Sequence, residues 1–175
     1  MTPVPVFSDF IGQQLQWKRP RLFSASYELR AGDQVLATIR RAGLGKGHQA
    51  EVEGQQWNFK REGFVRRRVL IYPGQELAQA SSELIQPLAS IKPDRKGNGQ
   101  LMFRDGRTYI WSHTGHWRPN WFWTDSASTT LITIKKNRVV EFSPNASESP
   151  DLTLLTLFGF CLILLREEDA AAAGG

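Results

Sequence analysis

Residues 152–165 form an uninterrupted apolar run, LTLLTLFGFCLILL, without a charged residue. The apolar residues lie all round a helix, not along one stripe, so such a helix must be enclosed by protein or by lipid. Fourteen helical residues span about 21 Å at ~1.5 Å each, whereas a bilayer core of about 30 Å needs ~20 residues. Asp151 precedes the run and REED follows it directly, which prevents a longer apolar helix. We therefore predict a buried core helix and keep a short tail anchor as the alternative.

The signals around this run place the predicted helix at about residues 150–166. Ser149 suits the N-cap, Pro150 suits the first helical position, and Asp151 suits the first turn. The residues expected to form the structural centre of the helix are Leu152, Leu155, Phe158, Leu162 and Leu165.

The chain before the helix reads as a series of short strands. From residue 23 to residue 142, alternating or β-rich runs are closed by Gly, Asp or Asn clusters. The pair Asp105-Gly106 is the strongest hairpin signal, because this dipeptide favours a two-residue hairpin turn. Residues 76–91 are less clear, since an amphipathic helix of one or two turns is also compatible with them, although Pro87 limits it. The whole region is predicted to be a β-meander.

A meander and one apolar helix fit together in a barrel wide enough to enclose the helix. A helix with its side chains is about 10–12 Å across, and an eight-stranded barrel holds only its own side chains. Barrels of about eleven strands close around a central helix, and ~120–150 residues of meander supply that number. We predict a mainly β protein, a single closed antiparallel barrel around a central hydrophobic C-terminal α-helix.

Basic residues outnumber acidic ones, with 22 Lys plus Arg against 17 Asp plus Glu and a net charge of +5. Residues 1–150 carry 21 basic and 13 acidic groups, whereas residues 151–175 are acidic on balance. Fixed cations attract phosphates and anionic lipid headgroups, at about 1 kcal/mol per residue near a charged membrane. The candidate anion-binding residues are Lys60, Arg61, Arg66, Arg68, Lys135 and Lys136.

Alternation along a strand places Arg66 and Arg68 together, with Arg67 on the opposite face. We expect Arg67 to lie near a barrel rim, to lie in a bulge, or to pair with an acidic residue inside the barrel, since an unpaired buried guanidinium is costly. The substitutions Arg66→Glu and Arg68→Glu together are expected to abolish binding to anionic lipid. The alternative is a solvated strand whose arginines prevent edge-to-edge aggregation.

An aromatic cluster lies between residues 111 and 123 and is interleaved with His113, His116 and Arg118. Its members are Trp111, Trp117, Trp121, Phe122 and Trp123. Aromatic residues beside cations can stack on bases or sit at a membrane interface, but core packing is the favoured interpretation. The two histidines are assigned to a loop, and no third Cys or His stands nearby to complete a metal site.

We predict no catalytic residue, no cofactor and no metal site. Asp105 and Asp125 are isolated, and no Gly-rich phosphate loop is present. Cys161 is the one cysteine, which excludes an internal disulfide, and its thiolate is disfavoured within an apolar run. A barrel filled by a helix has no lumen for a substrate, unlike lipocalin-type barrels. An enzyme is therefore not expected.

A strand meander followed by one wholly apolar C-terminal helix resembles the tubby C-terminal-like superfamily, which includes tubby proteins, phospholipid scramblases and LURP-one-related proteins. The resemblance covers about residues 23–169. It is carried by YELRAGDQVLATI, AEVEGQQWNFK, FRDGRTY and the run 152–165. The resemblance implies a barrel of about twelve strands around the helix. Residues 1–22, before the matched region, are expected to be a leader that packs on or extends the barrel, and residues 170–175, after it, a flexible tail.

The resemblance also implies a non-enzymatic module that binds anionic phospholipid or phosphoinositide headgroups, because tubby proteins bind these headgroups through basic residues. The acidic calcium segment and palmitoylated cysteine cluster of scramblases have no counterpart around the C-terminal helix. Two alternatives stay open: a protein-interaction or structural scaffold without lipid binding, and a binder of RNA or single-stranded nucleic acid. The first ten residues do not resemble a secretory signal, so we expect a cytoplasmic protein, peripheral to a membrane and without a transmembrane span.

Overall fold

The computed structural model describes residues 7–42, 47–63, 67–74, 85–117 and 119–174. Its strands are β1 (Leu15–Lys18), β2 (Ser26–Ala31), β3 (Gln34–Arg41), β4 (His48–Val52), β5 (Gln55–Glu62), β6 (Arg68–Pro73), β7 (Ala89–Ile91), β8 (Gly99–Phe103), β9 (Thr108–Thr114), β10 (Asn120–Thr124), β11 (Thr130–Ile134) and β12 (Val139–Phe142). They are followed by one long helix, α1 (Leu152–Ala173).

The strands form one closed antiparallel barrel in which each strand pairs with its neighbours in sequence. The ring closes where β1 pairs with β12, with Leu15 opposite Val140. Side chains alternate between the two faces of each strand, as the pleat requires. On β5, for example, Trp57 and Phe59 are buried inside while Asn58 is on the outer face. The predicted mainly β barrel around a C-terminal helix is confirmed.

The helix α1 runs through the middle of the barrel and is buried on every side along residues 154–162. Phe160 stacks on Trp17 of β1, with ring centroids 4.3 Å apart. Phe158 packs against Phe59 of β5, with centroids 5.1 Å apart. Because a helix in this position has wall strands on all sides, an all-round apolar sequence is the one that it requires.

At Gly159, α1 packs closely against the wall. A Cβ atom at this position would lie 2.6 Å from Nε1 of Trp123 on β10 and 3.0 Å from the ring of Trp111 on β9. Real Cβ contacts of that length are not tolerated in a close-packed interior. Glycine is therefore the residue that allows the two indoles to lie against the helix.

The helix begins later than the sequence predicts. Residues Pro144–Glu148 form a 3-10 helix, and the N-cap of α1 is Asp151 instead of Ser149. The carboxylate of Asp151 is buried and accepts hydrogen bonds from the hydroxyl of Tyr109, at 2.7 Å, and from the guanidinium of Arg107. These two partners hold the start of the helix against β9 and the turn before it.

The helix also ends later than predicted, because the expected flexible tail is helical through Ala173. Residues 170–173 are alanines, and alanine has the highest helix propensity. At the other end of the chain, Phe7–Phe10 form a 3-10 helix in which Phe7 and Phe10 are buried, and β1 is a wall strand. Residues 15–18 of the predicted leader therefore extend the barrel wall.

Two expectations, a possible helix in residues 76–91 and the absence of a transmembrane span, can be compared only with the described residues. Residues 75–84 lie outside them, so the possible helix in residues 76–91 is described only over its last part, where β7 lies. Within the described ranges, no helix combines the length and the apolar character needed to cross a membrane.

Candidate anion-binding rim

The antiparallel strands divide the connections between the two ends of the barrel. The C-terminus of α1 emerges at the end formed by the described residues 19–25, 42, 47, 63, 67, 92–98, 115–117, 119 and 135–138. We call this end the basic rim. The opposite end, where α1 begins, is called the acidic rim.

The two rims differ strongly in charge. We count the described residues that lie in the connections, in the two outermost positions of each strand, or on the emerging part of α1. On this count the basic rim has fifteen cations: Lys18, Arg19, Arg21, Arg40, Arg41, Arg61, Arg67, Arg68, Lys92, Arg95, Lys96, Lys135, Lys136, Arg138 and Arg166. It has five carboxylates: Glu62, Asp94, Glu167, Glu168 and Asp169.

The acidic rim has the opposite balance. Its described cations are Arg30, Arg104 and Arg107. Its described carboxylates are Asp9, Asp33, Glu51, Glu53, Asp105, Asp125, Glu141, Glu148 and Asp151. The molecule is therefore polarised along the barrel axis, which the net charge of the chain alone does not reveal.

Three consecutive carboxylates at the end of α1, Glu167, Glu168 and Asp169, neutralise part of the basic rim. Glu167 pairs with Arg138 and Glu168 with Arg41, both at 3.1 Å, while Asp169 pairs with Arg61 at 2.8 Å and Arg67 at 3.0 Å. These pairs join the end of the helix to β3, to β5 and the residue before β6, and to the β11–β12 turn. They also remove four arginines from the set that is available to an external anion.

Other cations of the basic rim have no carboxylate within 4 Å among the described residues. They are Lys18, Arg19, Arg21, Arg40, Arg68, Lys92, Arg95, Lys96, Lys136 and Arg166. Some of them have neutral partners, such as the side chain of Gln49, which accepts a hydrogen bond from Arg40 at 3.0 Å. Their positive charge is not cancelled locally and is exposed to an anionic ligand.

A cleft of about 500 Å³ opens at this rim between the β9–β10 connection, the β11–β12 turn and the last turns of α1. Its charged lining consists of Lys135, Lys136, Arg138, Arg166 and Glu167. Lys135 is partly neutralised by Glu141, at 2.7 Å. Cations predominate around the cleft, so it favours an anionic occupant.

The sequence-predicted anion-binding residues that the structure describes all lie at the basic rim or next to it, but not together. Lys60, Arg61 and Arg68 belong to β5 and β6, whereas Lys135 and Lys136 belong to the β11–β12 turn. These two pairs of strands are six places apart in the ring and therefore face each other across the barrel end. The two groups cannot line one pocket.

The individual roles of the β5 and β6 residues also differ. Arg61 is engaged by the helix, because its guanidinium donates to both carboxylate oxygens of Asp169 and to the carbonyl of Leu165. The ammonium of Lys60 lies 5.6 Å from the ring centre of Tyr72, whose pKa is raised mainly by burial. Arg61 therefore has a structural contact that sequence analysis did not anticipate.

Arg67 lies near a barrel rim, which is one of the three sequence-based expectations. Its guanidinium is half-exposed at the rim and pairs with the carboxylate of Asp169. Arg66 lies outside the described residues, so its predicted alignment with Arg68 stays a prediction.

The aromatic cluster is divided between the core and the surface. Core packing is confirmed for Trp111, Trp121 and Trp123, which are buried. It is wrong for Trp117, which is 96% exposed in the β9–β10 connection. His113 belongs to β9 and not to a loop, and its ring packs 4.5 Å from that of Trp121.

Sequence analysis missed two of the three most exposed large apolar residues that the structure describes at the basic rim. Leu22 and Phe23 in the β1–β2 connection are 81% and 93% exposed. The available signal was their context, because they follow Pro20-Arg21 in a stretch with no strand pattern. Trp117 has a similar context, next to Gly115-His116. A large apolar residue in a turn segment is not positioned by a strand, so its side chain does not point into the barrel.

The described residues offer no group of three or more His, Cys, Asp or Glu side chains that would hold a metal ion. Cys161 is fully buried in α1, and burial raises the pKa of its thiol. His48 is buried beside Glu168, and burial, with Arg41 and Arg61 nearby, lowers its pKa. No family model, curated protein or solved structure matches this chain.

Proposed function

We propose that this protein is a non-enzymatic module that binds anionic phospholipid headgroups, phosphoinositides included, at a membrane surface through its basic rim. The observation that carries the proposal concerns the described residues: cations without carboxylate partners among them gather at one end of the barrel, and more of the described carboxylates lie at the other end. A molecule polarised in this way turns its positive end toward a negatively charged surface. A barrel around a C-terminal helix also supports our proposal that the chain is a member of the tubby C-terminal-like superfamily.

The attraction is large enough to matter even when only part of the rim reaches the lipid. Each Lys or Arg close to an anionic leaflet contributes about 1 kcal/mol, and the effect decays within a Debye length of about 10 Å. The arginines that pair with Glu167, Glu168 and Asp169 contribute less, because their carboxylates approach the surface with them. The cations without carboxylate partners supply most of the binding.

The cleft beside the β11–β12 turn has a volume and a cationic lining that suit a single lipid headgroup. Its volume of about 500 Å³ lies within the range of ordinary small-molecule sites. Arg166 offers a planar guanidinium group, which matches phosphate oxygens, and Lys136 adds a mobile ammonium, whereas Arg138 is paired with Glu167. A phosphorylated headgroup is the anionic lipid component that fits this set of donors.

Co-sedimentation with vesicles tests the proposal. One variant carries both Arg21→Ala and Lys136→Ala on the basic rim. The other carries Arg104→Glu on the acidic rim. The two are compared because each lowers the net charge by two. At about 1 kcal/mol per cation, the basic-rim variant should bind anionic vesicles roughly thirty-fold more weakly, and the acidic-rim variant should bind like wild type. Equal loss in both variants would show that net charge, and not the rim, governs binding. Binding to an oligonucleotide without binding to vesicles would refute the lipid proposal.

A further inference from the structure

The three most exposed large apolar side chains of the described chain are Leu22, Phe23 and Trp117, with exposures of 81%, 93% and 96%. All three lie at the basic rim. The other large apolar residues that are exposed in the described ranges are Val35, Met102 and Ile110, which are only 42–56% exposed and lie on wall strands. Among the described residues, the excess of cations and the most exposed apolar side chains therefore occur at the same end of the barrel.

The order of strands around the ring places these features side by side. The β1–β2 connection carries Leu22 and Phe23, and the next connection along the basic rim is the β11–β12 turn with Lys136. The connection after that joins β9 to β10 and carries Trp117. Apolar groups thus stand on both sides of a cationic turn and of the cleft beside it.

The apolar pair is held at the tip of a closed turn. The amide of Ser24 donates to the carbonyl of Arg21 at 3.0 Å, which places Leu22 and Phe23 at the two central positions. The hydroxyls of Ser24 and Ser26 lie 2.6 Å apart and fasten the turn to β2. The backbone is therefore ordered in a form that directs both side chains into solvent, and little further ordering is needed on binding.

We propose that Leu22, Phe23 and Trp117 insert into the apolar layer of the bilayer, while the cations between them bind headgroup phosphates. This inference rests on the proposed function and adds the orientation, with the barrel docked end-on by its basic rim. Aromatic side chains are favoured at the level of the headgroups, and an apolar surface reaches hydrocarbon at a depth of about 5–10 Å.

A bilayer explains the three side chains together better than a nucleic acid does. Phe23 and Trp117 have ring faces that can stack on bases, but Leu22 has none and would gain nothing from stacking. A lipid surface offers anionic headgroups next to hydrocarbon, so it uses the leucine, the aromatic rings and the cations at once.

The experiment compares two triple variants on vesicles of phosphatidylcholine with about 30% phosphatidylserine, at low salt and at about 0.5 M salt, where exposed charges are screened. The test variant combines Leu22→Ser, Phe23→Ser and Trp117→Ser. The control combines Val35→Ser, Met102→Ser and Ile110→Ser. Wild type and control should retain part of their binding at high salt. The affinity of the test variant for the vesicles should be at least about tenfold lower than that of wild type at high salt, because the variant lacks the apolar area that would be buried in the bilayer.

A second measurement detects insertion directly. Lipids brominated along the acyl chain quench a tryptophan that reaches the hydrocarbon, and Trp117 is exposed whereas the other five tryptophans are buried. Quenching should occur in wild type and should be lost in Trp117→Phe.

The outcomes separate the two proposals. Absence of wild-type binding to anionic vesicles at low salt would overturn the proposed function and this inference with it. Wild-type binding that the test variant retains within twofold at both salt concentrations, with no quenching of Trp117, would overturn the insertion alone. Loss of binding to single-stranded poly(U) in the test variant, with unchanged vesicle binding, would also overturn it and would favour base stacking.

Discussion

Replacing Gly159 by alanine should destabilise the protein, although the same change stabilises most helices. In an exposed helix interior, alanine is favoured over glycine by about 1 kcal/mol. Here the new methyl group would lie 2.6 Å from Nε1 of Trp123 and 3.0–3.1 Å from the ring of Trp111. Ordinary contact begins near 3.4 Å, so the indole of Trp123 must move by most of an ångström.

That movement costs free energy because neighbouring aromatic rings pack against both indoles. Trp123 is fully buried, with its ring centre 4.8 Å from that of Trp111 and 6.2 Å from that of Phe158. Overpacking of this kind costs about 1–3 kcal/mol. After the gain in helix propensity, Gly159→Ala should lose up to about 2 kcal/mol, and Gly159→Val, which adds two further methyl groups and a β-branch, should lose about 2–4 kcal/mol.

Urea unfolding followed by tryptophan fluorescence measures both variants. Because 1 kcal/mol corresponds to about 2–4 °C in a domain of this size, a thermal melt should show the same order of stability. The exposed position Ala170 supplies the control, since Ala170→Gly reports propensity in the same helix without a packing change and should cost at most about 1 kcal/mol. A Gly159→Ala protein more stable than wild type would refute the close packing of α1 against β9 and β10.

Three further results are expected. The pKa of His48 is lowered in the folded protein, so the unfolded chain binds a proton more readily than the folded one. The contribution of His48 to the free energy of unfolding should therefore be fully present above pH 6.5, the ordinary pKa of histidine, and should be lost as the pH falls below it. Urea midpoints measured at successive pH values should fall less in His48→Gln than in wild type. Asp169→Asn should cost no more than about 1 kcal/mol, because its pairs with Arg61 and Arg67 are partly exposed, yet it should strengthen binding to anionic vesicles several-fold in co-sedimentation. Cys161 should not react with a thiol reagent such as DTNB in the native protein and should react completely in urea, since it is fully buried and burial raises its pKa; labelling of the native protein at the rate of a free thiol would contradict a helix enclosed by the barrel.

The local patterns of the sequence were sufficient to predict the architecture. An apolar run too short for a bilayer and apolar all round requires an enclosure of protein, and the meander before it supplies the wall. Trp57 and Phe59 alternate with Asn58 along the sequence and are both buried on β5, and Asp105-Gly106 does mark the turn between β8 and β9. These features depend on residues within one strand, one turn or one helix, so local sequence is enough to predict them without knowledge of tertiary contacts.

The site depended on contacts that no local pattern contains. Trp117 and Trp121 are four residues apart in the same cluster, yet one is exposed at the rim and the other is buried beside Trp111. Arg61 meets Asp169 only because α1 passes through the barrel and ends at the rim where β5 ends. Both outcomes follow from where an element ends relative to distant neighbours.

The amino-acid sequence by itself determined that a strand wall encloses an apolar helix, because periodicity and length express which faces must avoid water. Only the tertiary structure decided that the cations gather at one end and that Phe23 and Trp117 flank the β11–β12 turn. The physical reason is the closure of the ring. The pairing of β1 with β12 joins residues more than a hundred positions apart, and this pairing, not local sequence, makes the three connections neighbours.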